Sequence, residues 1–376
     1  MRANRAPIAP DSLPSLSLKN RQTIPNMLEL SEAQFQTMAI HRVGNKSREE
    51  GVLIAPELYH PEDYLLGLLK KYFFKPFKSL EDSWKFTHED GHESNLMWKL
   101  CAEVFEAPDL IFQHSAKIVN HLYEQSEHPH IKPGEVYVAY LTDCVVEGEL
   151  VDGIGIFKSE TRDTFLKVLE AEKEIELLPE QGINIKKLDK GAIIFNTEQD
   201  SGFRVFTVDN NNYDAQYWIE DFLNLETDQN EVFATRAVID LAQEFAHEVV
   251  GTKEDRKEEV MFVNKTMDFM NQNEQFTMEE FTEQVIGDNK DYAKEFKSFK
   301  QQYEVQNEIA PIEEFDIAPA TVKKAKSQVK KQIDLDTNIQ IKLNFNDLES
   351  GDKFIEKGFD QDRGMYFYTV YFNREV

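Results

Sequence analysis

In the first third of the sequence, some apolar residues are grouped in short segments and others recur at helical spacing. In residues 34–54 two short apolar segments flank a polar turn at Gly44 and Asn45, which predicts a β-hairpin. Apolar residues of segment 57–77 recur at helical spacing and predict an amphipathic helix. Two further helices are expected, one on each side of the helix breaker Pro108.

A run of strands follows these helices. The segments E-V-Y-V-A-Y-L, G-I-G-I-F-K, G-A-I-I-F-N and F-R-V-F-T-V are rich in β-branched and aromatic residues, and polar segments separate them. Their short separations leave no room for the crossovers that parallel strands require, so an antiparallel meander is predicted. Together with the preceding helices these strands indicate an α+β domain over residues 27–225.

From Thr227 onward, the apolar residues recur at the spacing of an α-helix. Four apolar stripes begin at Phe233, Val260, Met278 and Tyr292. Thr277 and Glu280 have the spacing of a capping box at the start of the third helix. Strand character returns in N-I-Q-I-K-L-N-F and M-Y-F-Y-T-V-Y-F, with the turn-like D-Q-D-R-G between them. Residues 226–376 are therefore predicted to form a mainly helical domain with a C-terminal hairpin of short antiparallel strands.

The charge balance narrows the choice of partners. With 42 Lys plus Arg against 69 Asp plus Glu, the net charge is −27. Such a surface repels DNA unless basic residues are gathered locally. Cys101 and Cys144 are too few for a disulfide scaffold or a four-cysteine metal site, which favours a reducing cytoplasm. No apolar run of about 18 residues is available to cross a bilayer, so no membrane partner is expected.

Residues 1–26 carry four basic residues and one acidic residue among Pro and Ser. This composition is typical of a flexible basic extension. A DNA-binding tail is one interpretation, and a non-native extension or an upstream start codon is another.

Two basic groups are candidates for nucleic-acid contact. The first consists of Lys323, Lys324, Lys326, Lys330 and Lys331. The second consists of Lys70, Lys71, Lys75 and Lys78, interleaved with Tyr72, Phe73, Phe74 and Phe77. Lysines could neutralise phosphates while the aromatic side chains stack on bases. The alternatives are a solvated helix or linker for the first group, and core packing for the aromatic residues of the second.

The motif H-E-D-G-H satisfies the H-E-x-x-H pattern of zinc proteases, in which a helix sets two histidines one turn apart beside a general base. The candidate ligands are His88 and His92, with Glu89 as the base. The turn dipeptide Asp90-Gly91 favours a polar loop instead, and no third ligand is evident. No other catalytic or nucleotide-binding motif is found, so neither a catalytic residue nor a cofactor is predicted.

Several segments, in their order along the chain, resemble the bacterial nucleoid-associated protein family (NdpA-like). They are H-R-V-G-N-K, H-P-H-I-K-P-G-E-V-Y-V, G-I-G-I-F-K-S-E-T, I-N-I-K-K-L-D-K-G-A-I-I-F-N-T-E, D-A-Q-Y-W-I-E-D-F-L, N-K-T-M-D-F-M and I-E-K-G-F-D-Q-D-R-G-M-Y-F-Y-T-V-Y-F. The likeness covers nearly all of the chain from Met27 onward and supplies no catalytic motif. It implies a cytoplasmic, nucleoid-located, non-enzymatic protein that binds DNA or DNA-bound proteins.

Two functional hypotheses follow from this resemblance. In the first, the lysines contact DNA directly, and a homodimer would double the basic patch. In the second, the acidic helical region is a protein-binding surface through which a basic partner recruits the molecule to the nucleoid.

Overall fold

The computed structural model describes residues 27–80, 82–171, 174–210, 217–253, 256–287, 289–328, 332–342 and 354–374. The basic extension predicted for residues 1–26 lies outside this range. Among the described residues, no helix has the length and apolar character needed to cross a membrane.

The first part of the chain, up to residue 227, contains eleven strands and three α-helices in the described residues. In chain order they are β1 (Leu28–Glu29), β2 (Gln34–Val43), β3 (Val52–Leu53), α1 (Asp63–Phe74), β4 (Trp84–Phe86), α2 (Leu96–Glu106), α3 (Ile111–Glu124), β5 (Gly134–Val146), β6 (Glu149–Ser159), β7 (Asp163–Ala171), β8 (Glu174–Gly182), β9 (Lys190–Phe195), β10 (Arg204–Asp209) and β11 (Leu225–Thr227). The α+β class and the antiparallel arrangement are confirmed.

The central sheet has the strand order β11-β4-β10-β9-β6-β5-β2-β3, with β1 beside β5. Its long strands are buried on both faces. Val136 and Val138 of β5 face the helices α2 and α3, whereas Tyr137 and Ala139 face α1. Double-sided burial explains why these antiparallel strands form nearly continuous apolar runs instead of alternating with polar residues.

Strands β7 and β8 leave this sheet and pair only with each other, as a β-arm inserted between β6 and β9. The apolar pattern did not predict this arm. A two-stranded ribbon outside the main sheet has no partner face to impose a period of two on its sequence.

The second part of the chain is mainly helical. It contains α4 (Glu231–Phe245), α5 (Gly251–Lys253), α6 (Arg256–Gln272), β12 (Gln275–Thr277), α7 (Met278–Phe281), α8 (Lys290–Gln306), β13 (Glu314–Asp316), α9 (Pro319–Gln328), β14 (Gln332–Asp334), β15 (Gln340–Lys342), β16 (Ile355–Asp360) and β17 (Met365–Val370). The Thr277 side chain caps α7 by accepting the Glu280 backbone N–H at 3.3 Å.

One detail of the C-terminal prediction is wrong. The two segments predicted as strands do not pair with each other: β15 pairs with β14, and β17 pairs with β16 across the D-Q-D-R-G turn. Each segment therefore has a partner strand that its own pattern did not reveal. Ile355 of β16 packs with Ile333 and Val260, which joins both hairpins to α6.

His41 of β2 joins the sheet to α3, and both nitrogens of its imidazole ring form hydrogen bonds. Its Nδ1 accepts the Ala55 backbone N–H at 3.0 Å, and its Nε2 lies 2.9 Å from Ser115 Oγ. The Ser115 hydroxyl donates to the Phe112 carbonyl, so Nε2 must carry the ring proton and donate to Oγ. Burial lowers the pKa of His41 from its ordinary value of 6.5.

We expect the folded chain to lose stability as the pH falls below about 6.5, because the unfolded state then binds a proton that folded His41 resists. One such histidine contributes at most about 1.4 kcal/mol per pH unit to this slope. Urea unfolding at pH 7.5 and 5.5 measures the effect. His41→Gln should reduce the pH dependence, whereas the exposed His130→Gln should not; equal slopes in all three proteins would contradict the assignment.

Candidate nucleic-acid interface

Five charged side chains meet beneath the surface where β6 ends. Lys158, Glu160, Asp189, Lys190 and Asp209 form this buried ionic cluster. The Lys158 ammonium lies 2.7 Å from the Glu160 carboxylate, and the Lys190 ammonium lies 2.6 Å from that of Asp209. Burial lowers the pKa of Lys158, and the Glu160 carboxylate opposes this shift. Charges at this depth are tolerated only when paired and hydrogen-bonded, so the cluster requires one particular strand arrangement.

Asp189 fixes the chain at the root of the β-arm. Its Oδ2 accepts the backbone N–H groups of Glu160 at 2.7 Å and Thr161 at 3.0 Å, and its Oδ1 accepts the Thr161 hydroxyl at 2.8 Å. Both N–H groups lie directly after the end of β6, where the chain turns into β7. Buried backbone donors need partners, and Asp189 supplies them at the point where the central sheet no longer does.

Two tyrosines connect the cluster to its surroundings. The Tyr217 hydroxyl lies 3.2 Å from the Lys158 ammonium and 3.3 Å from the Glu160 carboxylate. Tyr72 of α1 places its hydroxyl 2.7 Å from that of Ser159 at the end of β6. Burial raises the pKa of Tyr72, so its phenol stays protonated. Helix α1 is thereby joined to the edge of the cluster.

A cleft of about 580 Å³ opens beside the cluster. Lys75, from the turn after α1, lines it together with Lys186 and Lys187, which precede β9, and Asp209 at the end of β10. The three lysines are exposed and have no carboxylate partner within the described ranges, whereas Asp209 is neutralised by Lys190. This basic cleft therefore presents three ammonium groups from two distant segments of the chain.

The predicted group at residues 70–78 is divided by the fold. Lys71, Lys75 and Lys78 are exposed, and Lys70 donates a hydrogen bond to Gln34. The four interleaved aromatic side chains are at most 4% exposed and pack in the core under the sheet. The interpretation that bases stack on these aromatic residues is therefore wrong, because their ring faces are already covered.

The other predicted group lies on α9 and beyond it. Lys323 and Lys324 are exposed, and Lys326 lies 3.4 Å from Asp268 of α6. Lys330 and Lys331 lie outside the described residues. Part of the positive charge of α9 is thus directed to a carboxylate within the protein.

The H-E-D-G-H segment does not form a zinc-protease helix. His88 to Gly91 make a turn in which the Gly91 N–H donates to the His88 carbonyl at 3.0 Å. Gly91 has a φ of 93°, outside the helical region. His92 begins a short 3₁₀ helix and packs against Trp98, with ring centroids 5.4 Å apart. Within the described residues no group of three His, Cys, Asp or Glu side chains is placed to hold a metal ion.

Sequence reasoning missed Lys186, Lys187 and the buried ionic cluster as site residues. The segments F-K-S-E-T and K-K-L-D-K-G, which contain all of these residues except Asp209, carry part of the family resemblance. The available signal was a charged residue inside each otherwise apolar strand run, at Lys158 and Lys190. Lysines placed there must be paired in the core, because an isolated buried charge costs too much free energy.

Asp189→Asn should lower the free energy of unfolding by about 2–4 kcal/mol, because an amide nitrogen would face backbone donors and the two buried lysines would lose a counter-charge. Asp163→Asn is the matched control. Asp163 is exposed, and within the described residues its carboxylate accepts a hydrogen bond from the Asn184 side chain alone, so we expect a loss within about 0.5 kcal/mol. Urea unfolding curves measure both changes, and equal losses would refute the role of Asp189.

Comparison with known proteins agrees with the resemblance seen in the sequence. A family model described as nucleoid-associated protein YejK matches residues 39–362, a span that includes most of the central sheet, the β-arm, the buried ionic cluster and α9. No curated protein shows a significant match. Because the family match extends over most of the 376 residues, the chain belongs to the nucleoid-associated protein YejK family.

Proposed function

We propose that the protein associates with the nucleoid by direct contact between DNA phosphates and the basic cleft. The observation that carries the proposal is the convergence of Lys75, Lys186 and Lys187 on one surface. In a chain of net charge −27, three neighbouring ammonium groups without carboxylate partners in the described structure form a local exception to the acidic surface. Such a patch permits approach to a polyanion that the average charge would repel.

The surroundings of the cleft support this assignment. Lys71 and Lys78 are exposed on the same helix and turn that contribute Lys75. In the buried ionic cluster Lys190 neutralises Asp209, the one carboxylate among the described residues that line the cleft. No cofactor and no catalytic residue enter this function, which is binding without chemistry.

The α9 lysines are a second place for phosphate contact. The pairing of Lys326 with Asp268 reduces the charge that this helix offers to DNA. We therefore assign the larger share of binding to the basic cleft. The two groups can be compared directly because each contains three lysines in the described chain.

Changing Lys75, Lys186 and Lys187 together to Gln should weaken duplex DNA binding by about 10–100-fold at low salt and reduce the slope of log K against log salt by about 2–3. A gel-shift series from about 50 to 200 mM salt measures both quantities. The matched control changes Lys323, Lys324 and Lys326 to Gln, which removes the same charge and should cost less. Both variants should be made with and without residues 1–26, so that the basic extension cannot supply the binding.

Equal losses in the two triple variants would show that only total charge matters and would refute the cleft. Unchanged binding in the cleft variant would do the same.

A second candidate function is recruitment by a basic protein. Asp240, Glu244 and Glu248 are spaced four residues apart along α4 and the turn after it. Burial and the like charges of the other two raise the pKa of Glu244. A basic partner would relieve this repulsion. Full-length protein that ignores DNA at low salt, yet binds a nucleoid enzyme less well after Glu244→Gln, would favour recruitment over direct contact.

A further inference from the structure

A groove of about 450 Å³ separates the first turn of α4 from the segment that contains β13. One wall consists of residues within 229–234, and the other consists of residues 309–316. This volume lies within the range of ligand-binding pockets. None of these residues lines the basic cleft, so the groove is a separate surface of the molecule.

Hydrogen bonds at both ends of the groove hold its two walls together. At one end the Ala310 N–H donates to the Gln229 side-chain oxygen at 2.8 Å, and the Gln229 side-chain nitrogen donates to the Glu308 carbonyl at 3.0 Å. At the other end the Ala318 N–H donates to the Thr235 hydroxyl at 2.9 Å. Because the walls are already fixed, binding of a ligand would cost the protein little conformational entropy.

Strand β13 has a free edge along this groove. It pairs with β12 alone among the described strands, and the Met278 N–H donates to the Glu313 carbonyl at 2.9 Å. Backbone groups alternate in direction along an antiparallel strand, so those of Glu314 and Asp316 point away from β12. No described group accepts a hydrogen bond from either N–H. Such an edge can pair with the main chain of an extended peptide.

The charges of the lining residues select a basic ligand. The described lining contains no Lys, Arg or His but four carboxylates, those of Glu231, Glu313, Glu314 and Asp316. Glu313 lies 2.9 Å from the Lys300 ammonium, whereas the other three have no cationic partner among the described residues. The groove therefore attracts cations and repels nucleic acids and acidic peptides.

Apolar side chains share the lining with these carboxylates. Phe233, Ile309 and Phe315 are partly buried and pack against the helical core. The Arg236 guanidinium lies 5.9 Å from the centre of the Phe233 ring, so this ring already packs with one cation of the protein. A ligand that fits both walls carries basic and apolar side chains.

The alternation of side chains along β13 separates these two kinds of contact. Successive side chains of a strand point to opposite faces, which places Glu314 and Asp316 on one face and Phe315 on the other. A peptide strand paired with this edge continues both faces. Its basic residues then lie beside the carboxylates, and the apolar residues between them lie beside Phe315.

We propose that the groove binds a short extended segment of a partner protein in which Lys or Arg residues alternate with apolar residues. The segment pairs its main chain with the free edge of β13, and its cations lie beside Glu231, Glu314 and Asp316. This peptide site goes beyond DNA contact at the basic cleft and does not depend on it.

Fluorescence anisotropy with the labelled peptide Arg-Ile-Lys-Val-Arg tests the proposal, both on the full chain and on a chain without residues 1–26. The groove variant neutralises three carboxylates and should weaken peptide binding about 10-fold, because three ion pairs are lost. It combines Glu231→Gln, Glu314→Gln and Asp316→Asn. The matched control neutralises three exposed carboxylates elsewhere and should change binding by less than about twofold. It combines Glu57→Gln, Glu106→Gln and Asp200→Asn.

Main-chain pairing is tested separately from charge. Glu314→Pro and Glu314→Gln both remove the carboxylate, but only proline also removes the outward N–H. The proline variant should therefore bind the peptide about 2–10-fold more weakly than the glutamine variant. Two further peptides, N-methylated at Ile or at the central Lys, leave the protein unchanged. One of them should lose affinity by a similar factor and the other should not, because only alternate N–H groups face β13.

Several results would overturn the proposal. They are a lack of peptide binding by both forms of the chain, equal weakening in the groove variant and its control, and equal effects of the two N-methyl groups. Equal affinity for Arg-Gly-Lys-Gly-Arg, which lacks the apolar side chains, would also overturn it. Binding that appears only after removal of residues 1–26 would exclude a partner protein and assign the groove to the chain's own basic extension.

Discussion

The carboxylate of Asp189 satisfies two backbone N–H groups at the point where β6 leaves the central sheet. The positions of the β-arm and of the basic cleft both depend on this contact. The loop between β8 and β9 carries Lys186 and Lys187 into the cleft and then Asp189 and Lys190 into the core. This short segment thus supplies both the surface lysines and the buried Asp189 carboxylate that fixes their position.

Burying this many charges costs free energy, and pairing offsets the cost only with good geometry. The cluster has that geometry: Lys158 also donates to the Lys132 carbonyl at 2.9 Å, and the Lys190 ammonium lies 5.1 Å from the centre of the Tyr217 ring. Well-packed apolar residues would fill the same space at a lower cost in free energy. We therefore infer that the cluster specifies the conformation of the arm root and does not serve mainly to raise stability. A slip of one residue between β9 and β10 would separate Lys190 from Asp209, because these two residues lie opposite each other in the register.

The sequence predicts those parts of the fold whose packing is local or strictly periodic. Helices α1 to α3 and the strands β5, β6, β9 and β10 were predictable because their apolar residues are buried in the two cores on either side of the central sheet. The β-arm was not, because Leu166 and Val168 point to one side and Phe165 and Leu169 to the other, so no apolar alternation marks it. The partners of β14 and β16 could not be read from the isolated strand patterns either.

The site was harder to predict than the fold for a related reason. The basic cleft takes Lys75 and Lys186 from segments about a hundred residues apart, and only the sheet topology brings them together. The lysine run on α9 was conspicuous in sequence, but Lys326 faces Asp268, a residue far from it along the chain. In a protein with 69 acidic residues, a cluster of lysines in the sequence is therefore a poor guide to which lysines lack a carboxylate partner in the fold.

Native-state hydrogen exchange at the backbone amides of Glu160 and Thr161 tests the role of Asp189 most directly. If the buried carboxylate holds both N–H groups, these two amides should exchange as slowly as those of the central strands β5 and β6, at rates set by global unfolding. Exchange at the rate of an exposed loop would contradict the account, because the arm root would then open independently of the core.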